Sequence, residues 1–216
     1  MREILLSFVV AIAAYLLGCI ATGLIIAGKA GVNLRAVGSK STGASNVLRV
    51  MGAKKGAITF LGDFTKALLA CLLGRLLLPS AFGIDNFGAM LGGLFAILGH
   101  NWPAFFGFKG GKGVACSAAI VLFVNPLWGV IAGALCLAVI ATTRFISLGS
   151  MTLLFSYMVL MCIHFWGQWF VCAWTLVLFL LCVYQHRANI GRLVSGTENK
   201  IGNRVKAKEE PTENVE

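Results

Sequence analysis

The sequence predicts an all-α polytopic membrane protein of about seven transmembrane helices, N-terminus outside and C-terminus cytoplasmic. Three observations carry this reading. Of 216 residues, 58% are hydrophobic and only 12% charged, with a mean hydropathy of +0.87, a balance that a water-soluble domain of this size does not sustain. Apolar windows recur at 4–27, 57–79, 87–106, 114–124, 127–142, 151–165 and 170–185, several of them shorter than the ~20 residues that cross a bilayer core. Cations cluster between them: of 18 Lys and Arg, six lie at 29–55, two at 109–112, one at Arg144 and six at 187–208, while 80–86, 125–126 and 166–169 hold none. Placing all four basic segments on the cytoplasmic side satisfies the positive-inside rule.

The first window follows Met1-Arg2-Glu3 directly. It is too long for a signal-peptide core and no small-residue cleavage site closes it, so it is expected to remain as a span. The second contains Asp63 and Lys66, an i, i+3 pair lying roughly 9 to 14 Å in from the cytoplasmic end at 1.5 Å per residue. Each costs about 2.5–3.5 kcal/mol at a helix centre, which either a mutual ion pair or a role in supporting the loops would explain. Arg75 lies close enough to the outer end to snorkel. Residues 114–142 fit one kinked helix or two short ones divided at Asn125-Pro126, where proline removes a backbone donor. Keeping Lys112 and Arg144 on one side requires two crossings there. The pairs Gly88/Gly92 and Gly129/Gly133 read as small-residue contacts between closely packed helices. All seven cysteines fall in apolar segments without Cys-x-x-Cys or neighbouring His, so neither a disulfide framework nor a zinc site is indicated. Residues 1–202 form one integral-membrane domain, and 203–216, polar and acidic at its end, is expected to be a disordered tail.

The specific signals sit in the four basic segments. Val37 to Arg49 packs hydroxyls, an amide and two cations around two glycines. That composition suits a phosphate or polyol, and equally a solvated basic loop. Phe108-Lys109-Gly110-Gly111-Lys112-Gly113 combines backbone free of Cβ atoms with compact positive charge, as anion loops do, or else forms a helix-capping turn. It lacks the register of a nucleotide-binding loop. Arg144 to Ser150 is a short turn. After the last window, His186, Asn189 and Arg192 or Leu193 share a face if the helix continues; a His there caps terminal carbonyls or, beside Asn189 and Glu198, takes part in chemistry.

Taken in order, Gly38-Ser39 through Gly43-Ala44-Ser45-Asn46-Val47-Leu48-Arg49, Gly62-Asp63-x-x-Lys66, Gly99-His100-x-x-Pro103 leading into 108–113, Arg144-Phe145-x-Ser147-Leu148, and His186-Arg187-x-Asn189-Ile190-x-Arg192-Leu193-x-x-Gly196-Thr197-Glu198 resemble the acyl-phosphate-dependent glycerol-3-phosphate acyltransferases of bacterial membranes (PlsY). The resemblance covers about residues 38–201. It implies transfer of a fatty acyl group from acyl phosphate to the 1-hydroxyl of glycerol 3-phosphate. The products are lysophosphatidic acid and phosphate, in the first acylation of phospholipid biosynthesis, with no metal or other cofactor. The expected setting is a monomer in the bacterial inner membrane with its active-site loops in the cytoplasm. On this pattern Lys109, Gly110, Gly111, Lys112 and Gly113 hold the donor phosphate, while Ser39, Ser45, Asn46, Arg49 and Asn189 hold the acceptor. Lys109 and Arg49 face the departing phosphate, and Ser147, His186 and Glu198 orient the reacting groups. The proton of the acceptor hydroxyl goes to His186 or to a substrate phosphate.

This chain departs from the usual pattern at Lys40-Ser41, where the family commonly has Gly-Asn, at Ser45 and Cys116, where Thr is usual, and at Ala67, where Gly is usual. Other classes fit less well. A transporter would carry ionisable or broken-helix positions near mid-membrane, a metal-dependent phosphotransferase would need clustered aspartates, and a thioester acyltransferase of the His-x4-Asp type lacks its motif here. Topology accounts for the net charge of +10, so nucleic acid is not an expected partner.

Overall fold

A computed structural model of the chain describes residues 1–202; the tail expected at 203–216 lies outside them. The first window is a helix in two pieces, α1 (Arg2–Gly18) and α2 (Thr22–Gly28). A loop then leads to a short helix, α3 (Ala44–Met51), and the long α4 (Ala53–Leu77). The turn after α4 holds a feature the all-α reading lacks, an antiparallel hairpin of β1 (Ser80–Ala81) and β2 (Ile84–Asp85). Its two turn residues, Phe82 and Gly83, have φ of 53° and 74°, the left-handed pair that matches strand twist in a two-residue turn. Then follow α5 (Phe87–Asn101), α6 (Val114–Val124), α7 (Pro126–Thr143), α8 (Ile146–His164), α9 (Trp169–Gln185) and α10 (Arg187–Val194).

Residues 114–142 are two helices. The side chain of Asn125 accepts from Trp128 N at 3.3 Å and Pro126 opens α7, a position where its missing N–H costs nothing. Among the described residues, Arg2–Gly28, α4, α7 and α8 are long and apolar enough to cross a bilayer, and α9 with α10 makes a fifth such segment bent by 62°. Helix α6, with 11 residues, reaches about 16 Å, roughly half of the ~30 Å hydrocarbon core.

Large apolar side chains on α1, α4 and α7 (Phe8, Leu61, Leu76, Val130, Leu135) face outward, as the lipid-facing side of a bundle requires. Inside, the core is built mainly from small residues: Ala14, Ala67, Ala70, Ala89, Ala96 and Ala119, closed by Tyr157, Met161 and Leu178. Backbones approach so closely between α4 and α5 that a Cβ on Gly74 or Gly88 would collide with the other's carbonyl. Such contact replaces the hydrophobic drive that lipid cannot supply. Helix α6 lies between α4 and α7 and packs on both.

Candidate active site

The loop before α3 is shaped by Asn46. This side chain is fully buried, its amide facing the carbonyls of Leu34, Val37 and Ser41 at 2.9–3.2 Å while its Oδ1 accepts from Ser39 N at 2.9 Å. Its hydrogen-bonding capacity is spent on the loop backbone, so Asn46 holds the loop rather than lining the site. Lys40, which replaces the usual glycine, keeps a glycine-like φ of 58°; the path is retained at a conformational cost. The loop delivers Ser39, Ser41, Ser45 and Arg49 to the wall of one cavity of about 510 Å³. Ser39 Oγ is buried with no hydrogen-bond partner among the described residues, and no described carboxylate lies within ion-pair distance of Arg49.

The 108–113 segment departs from its expected role. Gly110 N donates to Asn101 O and Gly111 N to His100 O, both at 3.1 Å, so these two N–H groups are consumed by the end of α5. Lys109 is exposed; its carbonyl accepts from Arg35 Nη2 at 2.7 Å, and the same nitrogen donates to Phe106 O at 2.6 Å. Lys109, Gly110 and Gly111 therefore do not line the cavity, whereas Lys112 and Gly113 do. Once the segment is tied along the α5 terminus, side chains three apart leave it on different sides. At this wall stand the first-turn N–H groups of α6, which have no partner within the helix; Gly113, Val114 and Ala115 lie against the cavity.

Beneath this segment sits the buried pair that sequence spacing marks. Lys66 Nζ lies 2.8 Å from Asp63 Oδ1, 3.0 Å from His100 Nδ1 and 2.6 Å from Ile20 O. Gly111 packs so tightly on the His100 ring that a Cβ would collide with it. Ion pair and loop support are thus one arrangement, with His100 and Asp63 also reaching the cavity wall.

The C-terminal part closes the other side. The helix does not run straight through His186: it bends there, and His186 N shares the carbonyls of Cys182 and Val183 at 3.0 Å. The His186 ring turns Nδ1 back to Cys182 O at 2.8 Å, which leaves Nε2 as the ring's acceptor. Burial, with Lys112 nearby, pushes this imidazole down to about 4, so it is neutral near pH 7. Glu198 gathers three donors: Ser147 Oγ at 2.9 Å and Asn189 Nδ2 at 2.7 Å on Oε1, Arg192 Nε at 2.7 Å on Oε2. Burial opposes its charge, but these hydrogen bonds outweigh that and hold the carboxyl below its ordinary range. Asn189 Oδ1 in turn accepts from Lys112 Nζ. A second tie, Ile201 N to Arg144 O and Arg144 Nη2 to Ile201 O, each at 2.8 Å, fastens the segment after Glu198 to the α7–α8 turn.

Ser39, Ser45, Arg49, Lys112, Gly113, Ser147, His186, Asn189 and Glu198 thus meet on one cavity. Helices α3, α6 and α8 all present their N-terminal residues to it (Ala44, Val114 and Ile146), and helix N-termini favour anions. Burial pushes Lys112 down to about 8, with Glu198 pulling it up and Arg192 and Arg49 pulling it further down. Burial likewise lowers Arg49, against Glu198 and with Arg192. A group with phosphate charge would relieve this crowding of cations. From this polar head the cavity continues between α4 and α7 as a slot walled by Ala57, Phe60, Ala118, Leu137 and Leu153. Arg35, Ser41 and the His100 wall are the contributions that the motif reading left without a role; Ser41 and His100 stand inside the quoted motifs, and Arg35 is a cation just before the first of them.

The chain matches the family model described as glycerol-3-phosphate acyltransferase over residues 8–196. It is 42% identical over 199 residues to the glycerol-3-phosphate acyltransferase of Thermoanaerobacter sp., covering 92% of this chain and 97% of that protein. It is also 42% identical to the Clostridioides difficile protein of that name, covering 93% and 98%. Two crystal structures of PlsY, an integral membrane glycerol 3-phosphate acyltransferase, are similar in fold. The glycerol 3-phosphate form superposes with a TM-score of 0.83 at 38% identity, covering 91% of this chain and 96% of that one. The lysophosphatidic acid form superposes with a TM-score of 0.80 at 36% identity, with the same coverage. On these matches the chain belongs to the glycerol-3-phosphate acyltransferase family of PlsY, as a multi-pass membrane acyltransferase.

Proposed function

We propose that this protein transfers a fatty acyl group from acyl phosphate to the 1-hydroxyl of glycerol 3-phosphate, releasing lysophosphatidic acid and inorganic phosphate. The observation that carries the reading is the join between an anion-binding head and an apolar slot: Arg49, Lys112 and three helix N-termini at one end, and a wall of Phe60, Leu137 and Leu153 leading away between helices. An amphiphile with a phosphorylated end fits that shape, and the similar crystal structures are of a glycerol 3-phosphate form and a lysophosphatidic acid form, which supports the reading. Two phosphates held side by side repel one another; the cations offset that and convert a two-substrate encounter into a local one.

The acceptor's 1-hydroxyl oxygen attacks the acyl carbonyl carbon, the carbonyl–phosphate C–O bond breaks, and phosphate leaves with the electron pair. Acyl phosphate is a mixed anhydride, so no acyl-enzyme is required. The hydroxyl proton passes to a phosphate oxygen. His186, neutral and weakly basic, orients the hydroxyl through Nε2, while Arg49 and Lys112 stabilise the charge that grows on the leaving phosphate. Ser39, Ser45 and Asn189 hold the polar acceptor, and Glu198 fixes Ser147, Asn189 and Arg192 around it. We place seven crossings in the membrane, the short α6 being accommodated by local thinning of the bilayer, with these loops and the C-terminus on the cytoplasmic side of the bacterial inner membrane, and a monomer as the working unit; four converging basic segments and the cation bias support that arrangement.

The test is donor choice. Purified protein given palmitoyl phosphate is expected to release phosphate only when glycerol 3-phosphate is present, and to form no product from a palmitoyl thioester. Equal use of the thioester would overturn the donor assignment.

A further inference from the structure

Helix α7 carries two glycines four residues apart, and they do opposite things. A Cβ on Gly129 would lie 2.6 Å from Val121 O of α6, so Gly129 is where the two backbones touch. A Cβ on Gly133 would meet no atom within 4 Å, and Gly133 lines the cavity. The close-packing role that the sequence suggests for both applies only to the first.

The surrounding geometry gives Gly133 a place in the slot. Ile140, Leu137, Cys136 and Gly133 stand at helical spacing on one face of α7, and all four line the cavity. One turn beyond Gly133 the same face reaches Gly129, where α7 closes on α6 and the slot ends. Ten residues separate Gly133 from the Thr143 end of α7, about 15 Å of helix. Ala118 of α6 and Leu153 of α8 line the same cavity. The far end of the slot is therefore widened by Gly133, the one cavity-lining residue of α7 with no side chain.

We infer that Gly133 sets the length of acyl chain that the enzyme accepts, an inference that rests on the acyl-donor reading above. With the phosphate held at Arg49 and Lys112, a chain running down the slot passes Ile140 and Leu137 first and lies against Gly133 only with its terminal carbons. A side chain there fills the volume those carbons need and leaves the first part of the slot unchanged. Long donors lose contact with the wall or fold back; short donors never reach it.

The experiment compares palmitoyl phosphate with decanoyl phosphate as donors for the purified wild type, Gly133→Ala and Gly133→Leu, reading phosphate release that depends on glycerol 3-phosphate. Gly133→Leu is expected to lower the palmitoyl-to-decanoyl ratio of kcat/KM by about tenfold or more, the scale on which a pocket discriminates by methylene groups. Gly133→Ala is expected to move it less, in the same direction. An unchanged ratio would mean that chains leave the slot before Gly133, and a parallel loss with both donors would mean a packing role; either result overturns the inference. A wild type that releases phosphate from neither donor would overturn the donor reading itself, which the variants do not affect.

Discussion

Ser147 Oγ donates to Glu198 Oε1 at 2.9 Å, the same oxygen that accepts from Asn189 at 2.7 Å. A serine committed to a carboxylate held below its ordinary range has no strong base to make it a nucleophile. Rapid quenching with a labelled acyl donor is expected to trap no acyl-serine. Ser147→Ala should lower kcat/KM by about ten- to hundredfold, the worth of one hydrogen bond to a charged group. An acyl group recovered on Ser147 would refute this.

The two cations that the motif puts on equal terms separate in the structure. Arg49 faces the cavity and Lys109 faces solvent. Arg49→Ala is expected to cost about 10²–10³ in kcat, as for loss of one preorganised transition-state donor. Lys109→Ala should stay within about threefold of wild type, as exposed charges do. Steady-state kinetics on both variants check the contrast, and it fails if they fall together.

Lys112 supplies a pH dependence. Its ammonium is pushed down to about 8, so the charge proposed to hold a substrate phosphate is present below that pH and lost above it. The sign follows: kcat/KM should decline as pH rises through about 8, while Lys112→Arg, which stays charged, should flatten that decline whatever its absolute rate. A wild-type profile level to pH 9.5 (about one and a half units past the lysine's midpoint) would contradict it.

The Asp63–Lys66–His100 group is buried throughout, at 1%, 4% and 6% exposure. Removing one charge strands the other, so Asp63→Asn or Lys66→Met alone should destabilise by about 3–5 kcal/mol. The double variant should recover part of that loss. Thermal unfolding in detergent measures both steps, and additive losses in the double variant would argue against a coupled pair.

Lys40 holds a φ of 58°, which costs an L-residue roughly 1–2 kcal/mol relative to glycine. Lys40→Gly is expected to raise stability by about 1 kcal/mol, less the entropy that glycine loses on folding. A fall in midpoint temperature would show that the Lys40 side chain contributes more than the turn costs.

Much of this molecule is legible along the chain. The helix limits at 114–124 and 170–185, the break at Asn125-Pro126 and the grouping of basic loops rest on hydropathy, proline chemistry and charge, properties that each short window carries independently of the rest. The Asp63–Lys66 pair was legible too, because i, i+3 spacing on a helix is local geometry. Ordered motifs pointed to Arg49, Lys112, Ser147, His186, Asn189 and Glu198 without saying how they meet.

What spacing could not supply is the direction in which each side chain leaves its loop. Lys109 and Lys112 are alike in the sequence. Only the tie of Gly110 and Gly111 to the end of α5 turns one to solvent and the other to Asn189. Asn46 looks like a ligand until four backbone partners claim it, and Gly129 and Gly133 look like twins until α6 presses on one of them. Local patterns decide which segments become helices, because each segment's own residues meet the bilayer or the water. Which groups face the cavity depends on contacts between segments far apart in the chain, and those exist only after the bundle has closed.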